Sequence, residues 1–482
     1  MAGFAVELLF LRGAAFFTAL KPSVCYGMSM SKTFILSLLC LFLGGFVLFG
    51  AKPPNVILMM ADDLGYNDLS CYGSKRQKTP VLDKLAKEGL RLTSFYAGAT
   101  VCTPSRMALL TGAYPPRLGW NGGVVGYGLK PHNGLAPQAR TMGDVFKGAG
   151  YKTALIGKWH LGDTPELHPI GQGFDLTYFI DKSNNQTRKL WRGRELEADP
   201  FDNRRLTKNF IKEAVTFIKS NKKNPFFLYL PFSAPHFPAQ AHPDWKGKSA
   251  NADYGDVVEE LDGRIGDLLK VLEDEDLEKN TIVIFMSDNG TEPGQKKWGS
   301  GEPFRGLKWS ALEGGTRVPC ILRFPDVIPA GELTGKLTTA IDLLPTLAGA
   351  CGINLKEGPG IVPKIDGLNL WESLQGKAKA HPRSNLLYWH GWAMPQAIRV
   401  GDWKLYLDKV KEIPGTNKGP VLIDLSKDPA EEKDLASEHP EKVKELKELA
   451  SKLLSEIEKN SISLGGPPDT RKKSPKRGQW VP

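Results

Sequence analysis

The sequence predicts an α/β fold followed by a smaller α+β unit, and three observations carry that prediction. Short, almost wholly apolar runs recur at 55–60, 153–156, 225–230 and 281–286, each followed by polar or charged residues. Continuous apolarity over so few residues is what a strand buried on both faces of a mainly parallel sheet requires. Between these runs lie segments with apolar residues at helical spacing, and from about Gly352 the rhythm changes to short antiparallel-looking pieces before one long amphipathic helix. At 482 residues the chain is too long for one small core, so a large domain with a smaller one is expected. The divisions are a leader (1–51), a main domain (52–351), the smaller α+β domain (352–464) and a basic Pro- and Lys-rich tail (465–482).

Ser31 to Gly50 is almost free of polar residues after Lys32, the pattern of a secretory signal with cleavage near Gly50 or Ala51. An uncleaved anchor is the competing reading of so long a run. An earlier apolar patch, Leu8 to Leu20, leaves Met28 or Met30 as alternative starts. Export makes the mature protein secreted or periplasmic, with no stable membrane span once the signal is removed. The formal charge is +10, but Arg471, Lys472, Lys473, Lys476 and Arg477 crowd the tail, and no nucleic-acid motif accompanies them. Nucleic acid is therefore excluded as the expected partner. Of six cysteines, Cys25 and Cys40 lie in the leader. Cys71, Cys102, Cys320 and Cys351 remain, enough for at most one bridge if Cys102 has another use.

The first strand, Asn55 to Met60, ends in Ala61-Asp62-Asp63-Leu64-Gly65. Two adjacent carboxylates at the end of a buried strand are costly unless compensated, and a hard divalent cation, calcium or magnesium, is the natural partner. A helix follows over Val81 to Glu88. In Val101-Cys102-Thr103-Pro104-Ser105-Arg106-Met107, Thr103 suits an N-cap and Pro104 the first helical position. Cys102 then stands just outside a helix N-terminus, which favours an anion, with Arg106 one turn in. A second helix from Thr141 to about Lys147 leads to the strand Thr153 to Ile156 and to Gly157-Lys158-Trp159-His160-Leu161-Gly162. Residues two apart in an extended segment share a side, so Lys158 and His160 are expected to act together on an oxyanion and a proton. His168 is a further candidate for contacting substrate.

The polar stretch from Asp181 to Asn203 reads as a surface excursion that borders a pocket or is simply solvated. It contains the sequon Asn185-Gln186-Thr187. A helix near Leu206 to Ser220 precedes the strand Pro225 to Leu230 and the segment Ser233-Ala234-Pro235-His236-Phe237-Pro238, where two prolines stiffen the loop around His236; His242 competes with it. The helix from Asp253 to about Leu272 is core packing. The strand Thr281 to Met286 then ends in Ser287-Asp288-Asn289-Gly290, so its Asp-Asn pair and Asp62-Asp63 are placed to share one cation at one sheet edge. Asn289-Gly290-Thr291 is formally a sequon, but a residue committed to a metal cannot also carry a glycan. A strand at Cys320 to Phe324 and a helix at Asp342 to Ala350 close the large domain. The strands expected beyond it are Asn385 to Trp389, Ala397 to Val400, Trp403 to Leu407 and Val421 to Asp424, with a helix from Pro440; they bring Tyr388, Trp389, His390 and Trp392 toward the pocket rim.

Cys102-Thr103-Pro104-Ser105-Arg106, continuing into Leu109-Leu110-Thr111-Gly112, resembles the signature of the type I sulfatases. Asp62-Asp63, Gly157 to Gly162, Ala234 to Pro238, Asp288-Asn289 and Arg305-Gly306-Leu307-Lys308-Trp309 are similar to the same family. The likeness runs from about Asn55 to Lys459 and is nearest the arylsulfatase A and N-acetylgalactosamine-6-sulfatase branch. It implies an alkaline-phosphatase-like α/β/α sandwich with a large mixed sheet, and a short antiparallel sheet in the C-terminal part. It also implies sulfate-ester hydrolysis, with Cys102 converted to Cα-formylglycine by a formylglycine-generating maturation enzyme. In that scheme Asp62, Asp63, Cys102, Asp288 and Asn289 hold calcium, with magnesium as the alternative. Arg106, Lys158 and Lys308 neutralise sulfate and aldehyde hydrate, His236 protonates the leaving alcohol and His160 assists the second hydroxyl. The implied substrate is a sulfated carbohydrate or an aryl sulfate. The competing readings are a phosphoester or phosphonate hydrolase on this scaffold and an inactive secreted glycan-binding protein.

Overall fold

In the computed structural model, which describes residues 52–356, 364–413 and 419–468, the chain runs as follows. First come β1 (Asn55–Ala61), α1 (Pro80–Lys87), β2 (Leu90–Leu92), β3 (Phe95–Tyr96), α2 (Cys102–Thr111), α3 (Met142–Gly148) and β4 (Lys152–Lys158). Next are β5 (Leu176–Ile180), β6 (Leu190–Arg192), β7 (Glu195–Ala198), α4 (Leu206–Asn221), β8 (Phe226–Pro231), α5 (Ala252–Asp274) and β9 (Thr281–Ser287). After these lie α6 (Glu313–Thr316), β10 (Cys320–Arg323), β11 (Glu332–Thr334), β12 (Thr338–Thr339), α7 (Leu343–Ala350) and α8 (Trp371–Leu374). The last elements are β13 (Asn385–Trp389), β14 (Pro395–Val400), β15 (Trp403–Tyr406), β16 (Val421–Asp424) and α9 (Pro440–Lys459). The expected leader and the basic stretch Thr470 to Arg477 lie outside the described residues. Among the described residues, no helix is long and apolar enough to cross a membrane.

Ten strands form one mixed sheet in the order β11-β2-β10-β9-β1-β8-β4-β5-β6-β7. Its centre is parallel, β9, β1, β8, β4 and β5 all running the same way, and its flanks are joined antiparallel through β10 and β6. The apolar runs are continuous because both faces are covered. Val56, Leu58 and Met60 of β1 pack with Leu109 and Leu110 of α2, Val145 and Phe146 of α3 and Leu344 and Leu347 of α7. The alternate residues Ile57 and Met59 pack with Leu82 and Leu85 of α1, Phe210 and Phe217 of α4 and Leu261, Ile265 and Leu268 of α5. This is the α/β/α sandwich with a large mixed sheet that the sequence predicts.

A second, four-stranded antiparallel sheet, β13-β14-β15-β16, forms in the C-terminal region, with Leu446, Ala450 and Ile457 of α9 buried. A buried ion network ties it to the segment after Lys308. Lys404 of β15 sits 2.9 Å from Glu313 Oε1 and 2.8 Å from Glu431 Oε1, and donates to the Ala311 carbonyl at 2.7 Å.

Three local expectations are corrected. Helix α2 starts at Cys102, with Val101 as its N-cap, so Cys102 lies inside the first turn and not before it. The Thr103 hydroxyl is otherwise engaged, donating to the His160 carbonyl at 2.9 Å and accepting from the Val125 amide at 3.0 Å. The stretch 181–203 is not simply an irregular excursion, since β6 and β7 extend the sheet there. Residues 465–468, assigned to the tail, are anchored: Gly465 pairs with Gly134, and the Pro467 carbonyl accepts from Asn133. Cys71, Cys102, Cys320 and Cys351 are all free.

Candidate active site

The site lies at the carboxyl ends of the central strands. β1 and β9 are parallel neighbours in a register that sets Ala61 beside Ser287, so Asp62-Asp63 and Asp288-Asn289 leave the sheet side by side. In a continuing strand Asp62 and Asp63 would point to opposite faces. Asp63 instead adopts a left-handed backbone (φ 66°), its N–H donates to Asp288 Oδ1 at 3.1 Å, and both carboxylates approach Cys102, whose Sγ lies 3.4 Å from Asp62 Oδ1 and 3.7 Å from Asp63 Oδ1. One ligand atom each from Asp62, Asp63, Cys102 and Asp288 lies within 4.8 Å of the other three.

Three basic groups surround the carboxylates. Lys158, at the end of β4, donates to Asp62 Oδ2 at 2.6 Å. Arg106 of α2 donates through Nε and Nη2 to Asp288 Oδ2 at 3.0 and 2.8 Å and through Nη1 to the Lys158 carbonyl. Lys308 donates to Asp63 Oδ2 at 2.8 Å and stands 3.0 Å from Glu292. These side chains, Glu292 excepted, are buried, and such charges persist only when paired and hydrogen-bonded.

The environment sorts their protonation. Burial works against charge on Asp62 and Asp63, yet Lys158 with His236 and Arg106 at the first, and Lys308 with His236 at the second, hold both below the ordinary carboxyl value. Burial, reinforced by Asp62, pushes Asp288 up in spite of Arg106. Lys308 is held well above its ordinary value by Asp63, which outweighs the effect of burial. The Cys102 thiol is pushed well up by burial despite Lys158 and Lys308, so the helix start that would favour a thiolate is overruled.

Two histidines join the cluster. His236 directs Nδ1 at the Phe237 carbonyl (2.7 Å) and Asn184 Oδ1 (3.1 Å), both acceptors, which fixes the proton on Nδ1 and leaves Nε2 3.5 Å from Asp63 Oδ2. Burial keeps its pKa low against the pull of Asp63 and Asp62. His160 has φ 58°, so the alternation argument for its pairing with Lys158 does not hold; the turn after β4 brings it to the cavity instead. Its Nε2 bonds the Val125 carbonyl at 2.9 Å, and its buried Nδ1 has no partner. Burial, with Lys158 and Arg106 adding to it, holds this imidazole well below its usual pKa.

Above the cluster opens a cavity of about 790 Å³, lined by Cys102, His160, His236 and Lys308 together with loop residues. Asp62, Asp63, Arg106, Lys158, Asp288 and Asn289 lie fully buried beneath its lining. His168 is not brought to it: the ring is wedged edge-on between Phe179 and Trp191, 5.0 and 4.8 Å away, and does not line the cavity. Nor does His242, which pairs with Asp244. Sequence patterns did not single out Asn184, which orients His236, or Glu292, which holds Lys308; both depend on loops meeting in space.

The donor set fits a hard divalent cation. Asn289 Nδ2 donates to Asp63 Oδ1 at 2.7 Å and to the Gly290 carbonyl, leaving its buried Oδ1 with no hydrogen-bond partner. Carboxylate and amide oxygens are the ligands calcium and magnesium take.

Fold and site together define a hydrolase of sulfuric esters, and the chain belongs to the sulfatase family, whose profile matches residues 54–353. Within that family it is of type I and stands with the arylsulfatase A and N-acetylgalactosamine-6-sulfatase branch. The N-acetylgalactosamine-6-sulfatase of Sus scrofa is 32% identical over 496 aligned residues, spanning 92% of this chain and 93% of that protein. Arylsulfatase A of Homo sapiens is 33% identical over 453, spanning 83% and 87%. A solved structure from Bacteroides thetaiotaomicron, described in connection with the metabolism of multiple glycosaminoglycans, superposes with a TM-score of 0.75 at 29% identity and covers 84% of this chain and 99% of its own.

Proposed function

We propose that the chain cleaves sulfate esters of a carbohydrate or aryl alcohol at a formylglycine derived from Cys102, with calcium held by Asp62, Asp63, Asp288, Asn289 and the modified residue. The observation that carries this reading is the convergence of four ligand atoms within 4.8 Å at the floor of the cavity. Cys102 is the chemical misfit in that set, a protonated sulfur among hard oxygens, and an oxygen-bearing residue at 102 removes the misfit. When present, the cation and the hydrated aldehyde supply an acidified hydroxyl as nucleophile.

The chain's own residues do the remaining work. Lys308 reaches the cavity and offers its ammonium to sulfate oxygens; Lys158 and Arg106 fix Asp62 and Asp288 and keep the floor positive enough for an anion. His236, its ring fixed by Asn184 and the Phe237 carbonyl, presents Nε2 to the cavity; the negative charge of a bound sulfate ester favours protonation there, and that proton passes to the leaving oxygen. His160 Nδ1 is free to take a proton from position 102. Charge balance supports a sulfate over a phosphate monoester. Asp62, Asp63, Asp288 and Glu292 carry four negative charges against three on Arg106, Lys158 and Lys308, so a divalent cation leaves one positive charge. A sulfate monoester matches that charge, and a doubly charged phosphate monoester exceeds it.

Export through the 1–51 leader and modification by a maturation enzyme belong to the same proposal. So do a catalytic domain at 52–351 and a smaller domain at 352–464, a division supported by the family match ending at 353. Chelating divalent cations is expected to lower sulfate release from an aryl sulfate by on the order of 100-fold or more, with recovery on adding calcium. Asp288→Asn should raise the calcium concentration needed for half-recovery. Undiminished activity after chelation, or faster turnover of the phosphate than of the sulfate ester of one phenol, would overturn the proposal.

A further inference from the structure

We propose that Tyr127, Trp309 and Trp392 form a stacking wall for the sugar ring of a sulfated carbohydrate, which makes the glycan and not an aryl group the leaving alcohol; the inference rests on the sulfatase reading above. Trp309 and Trp392 are stacked, with ring centroids 5.4 Å apart and an interplanar angle of 29°. Tyr127 closes on both, 6.0 and 5.9 Å away. All three line the cavity, and Tyr127 and Trp392 are 57% and 43% exposed. Large aromatic rings grouped and left open to solvent at a cavity mark a surface that waits for a partner.

The wall is built from three separate loops. A Cβ on Gly391 would stand 2.2 Å from the Trp309 ring, and one on Gly128 would stand 2.6 Å from the Trp392 ring, so each indole lies directly on a bare backbone. The Gly123 amide donates to the Gly391 carbonyl at 2.7 Å and fastens two of the loops together. Trp309 also follows Lys308 in sequence, and both line the one cavity. A ring joined through one oxygen to a sulfate held at Lys308 therefore enters the space that the indoles border.

The rest of the lining decides what kind of ring. Val124 and Phe237 add apolar surface to it, while Ser183, Asn185, Gln186 and Glu292 supply hydroxyl, amide and carboxylate groups. A flat aryl or steroid ring wants apolar contact on both faces, and these groups would be left unpaired against it. A pyranose presents an apolar C–H face to stack and hydroxyl edges to hydrogen-bond, which is what one aromatic wall with polar neighbours accommodates.

The test uses the mature protein, a panel of monosulfated hexoses and N-acetylhexosamines, and 4-nitrophenyl sulfate. For Trp392→Ala the ratio of kcat/KM on the best sugar to kcat/KM on the aryl sulfate should fall about tenfold, and Trp392→Phe should restore most of it. In the turnover-deficient Cys102→Ala background the same sugar should bind about tenfold more weakly when Trp392→Ala is added, and Tyr127→Ala should act in the same direction. An unchanged ratio together with unchanged sugar binding overturns the wall, as does a preference for the aryl sulfate over every sugar. If neither ester class is hydrolysed, the sulfatase reading fails, while the binding comparison still decides the wall.

Discussion

Cys102→Ala is expected to lower kcat/KM for sulfate release by on the order of 10⁴-fold or more while the protein stays folded. Position 102 is where three aspartates, Arg106, Lys158 and Lys308 converge, and it meets the cavity that the histidines border. The stability cost is small by comparison. Removing one buried sulfur forfeits roughly 1–2 kcal/mol of packing, and the neighbouring charges remain paired with each other. The thermal midpoint of the variant should therefore lie within a few degrees of the parent, and retained turnover would defeat the assignment.

The largest effect on stability is expected at Lys404→Met. Lys404 is wholly buried and is shared by Glu313 and Glu431. Burial opposes charge on Glu313, but Lys404 with Arg317 and Arg399 holds its pKa at about 2, whereas burial pushes the neighbouring Glu431 up. Among the described residues, removing the ammonium leaves the buried Glu431 without its ion-pair partner and Glu313 with Arg317 as the one cation in contact, a change that costs about 3–5 kcal/mol. A lowered urea midpoint should report it, and adding Glu313→Gln to Lys404→Met should return part of the loss because the two residues are coupled. Glu313 lies five residues after Lys308, so sulfate turnover should also decline in Lys404→Met. A midpoint equal to the parent's would show that the network does not hold the two sheets together.

The central strands were legible in sequence because burial on both faces leaves no alternative to continuous apolarity, as in Ile57 to Met60 and Ile282 to Met286. Their polar ends were legible for the same reason, since Asp62, Asp63 and Asp288 have no place in an apolar core. The short flanking strands β2, β6, β7 and β11 were not, because three or four residues of mixed character carry no period to read. The histidine pairing shows the limit of local geometry: His160 reaches the cavity through a left-handed turn, where strand alternation has no meaning. The Lys404 network and the aromatic wall are tertiary in origin, joining residues roughly thirty to two hundred and sixty positions apart, and nothing near Lys404 or Tyr127 in the chain distinguishes them from surface residues.

The whole account turns on the chemical identity of residue 102, so the most direct measurement is the mass of the proteolytic peptide that contains it, taken from an enzymatically active preparation. The account predicts a peptide in which CH2SH has become CHO, reactive toward a hydrazide and absent from Cys102→Ala. An intact thiol at 102 in protein that releases sulfate at full rate would contradict it.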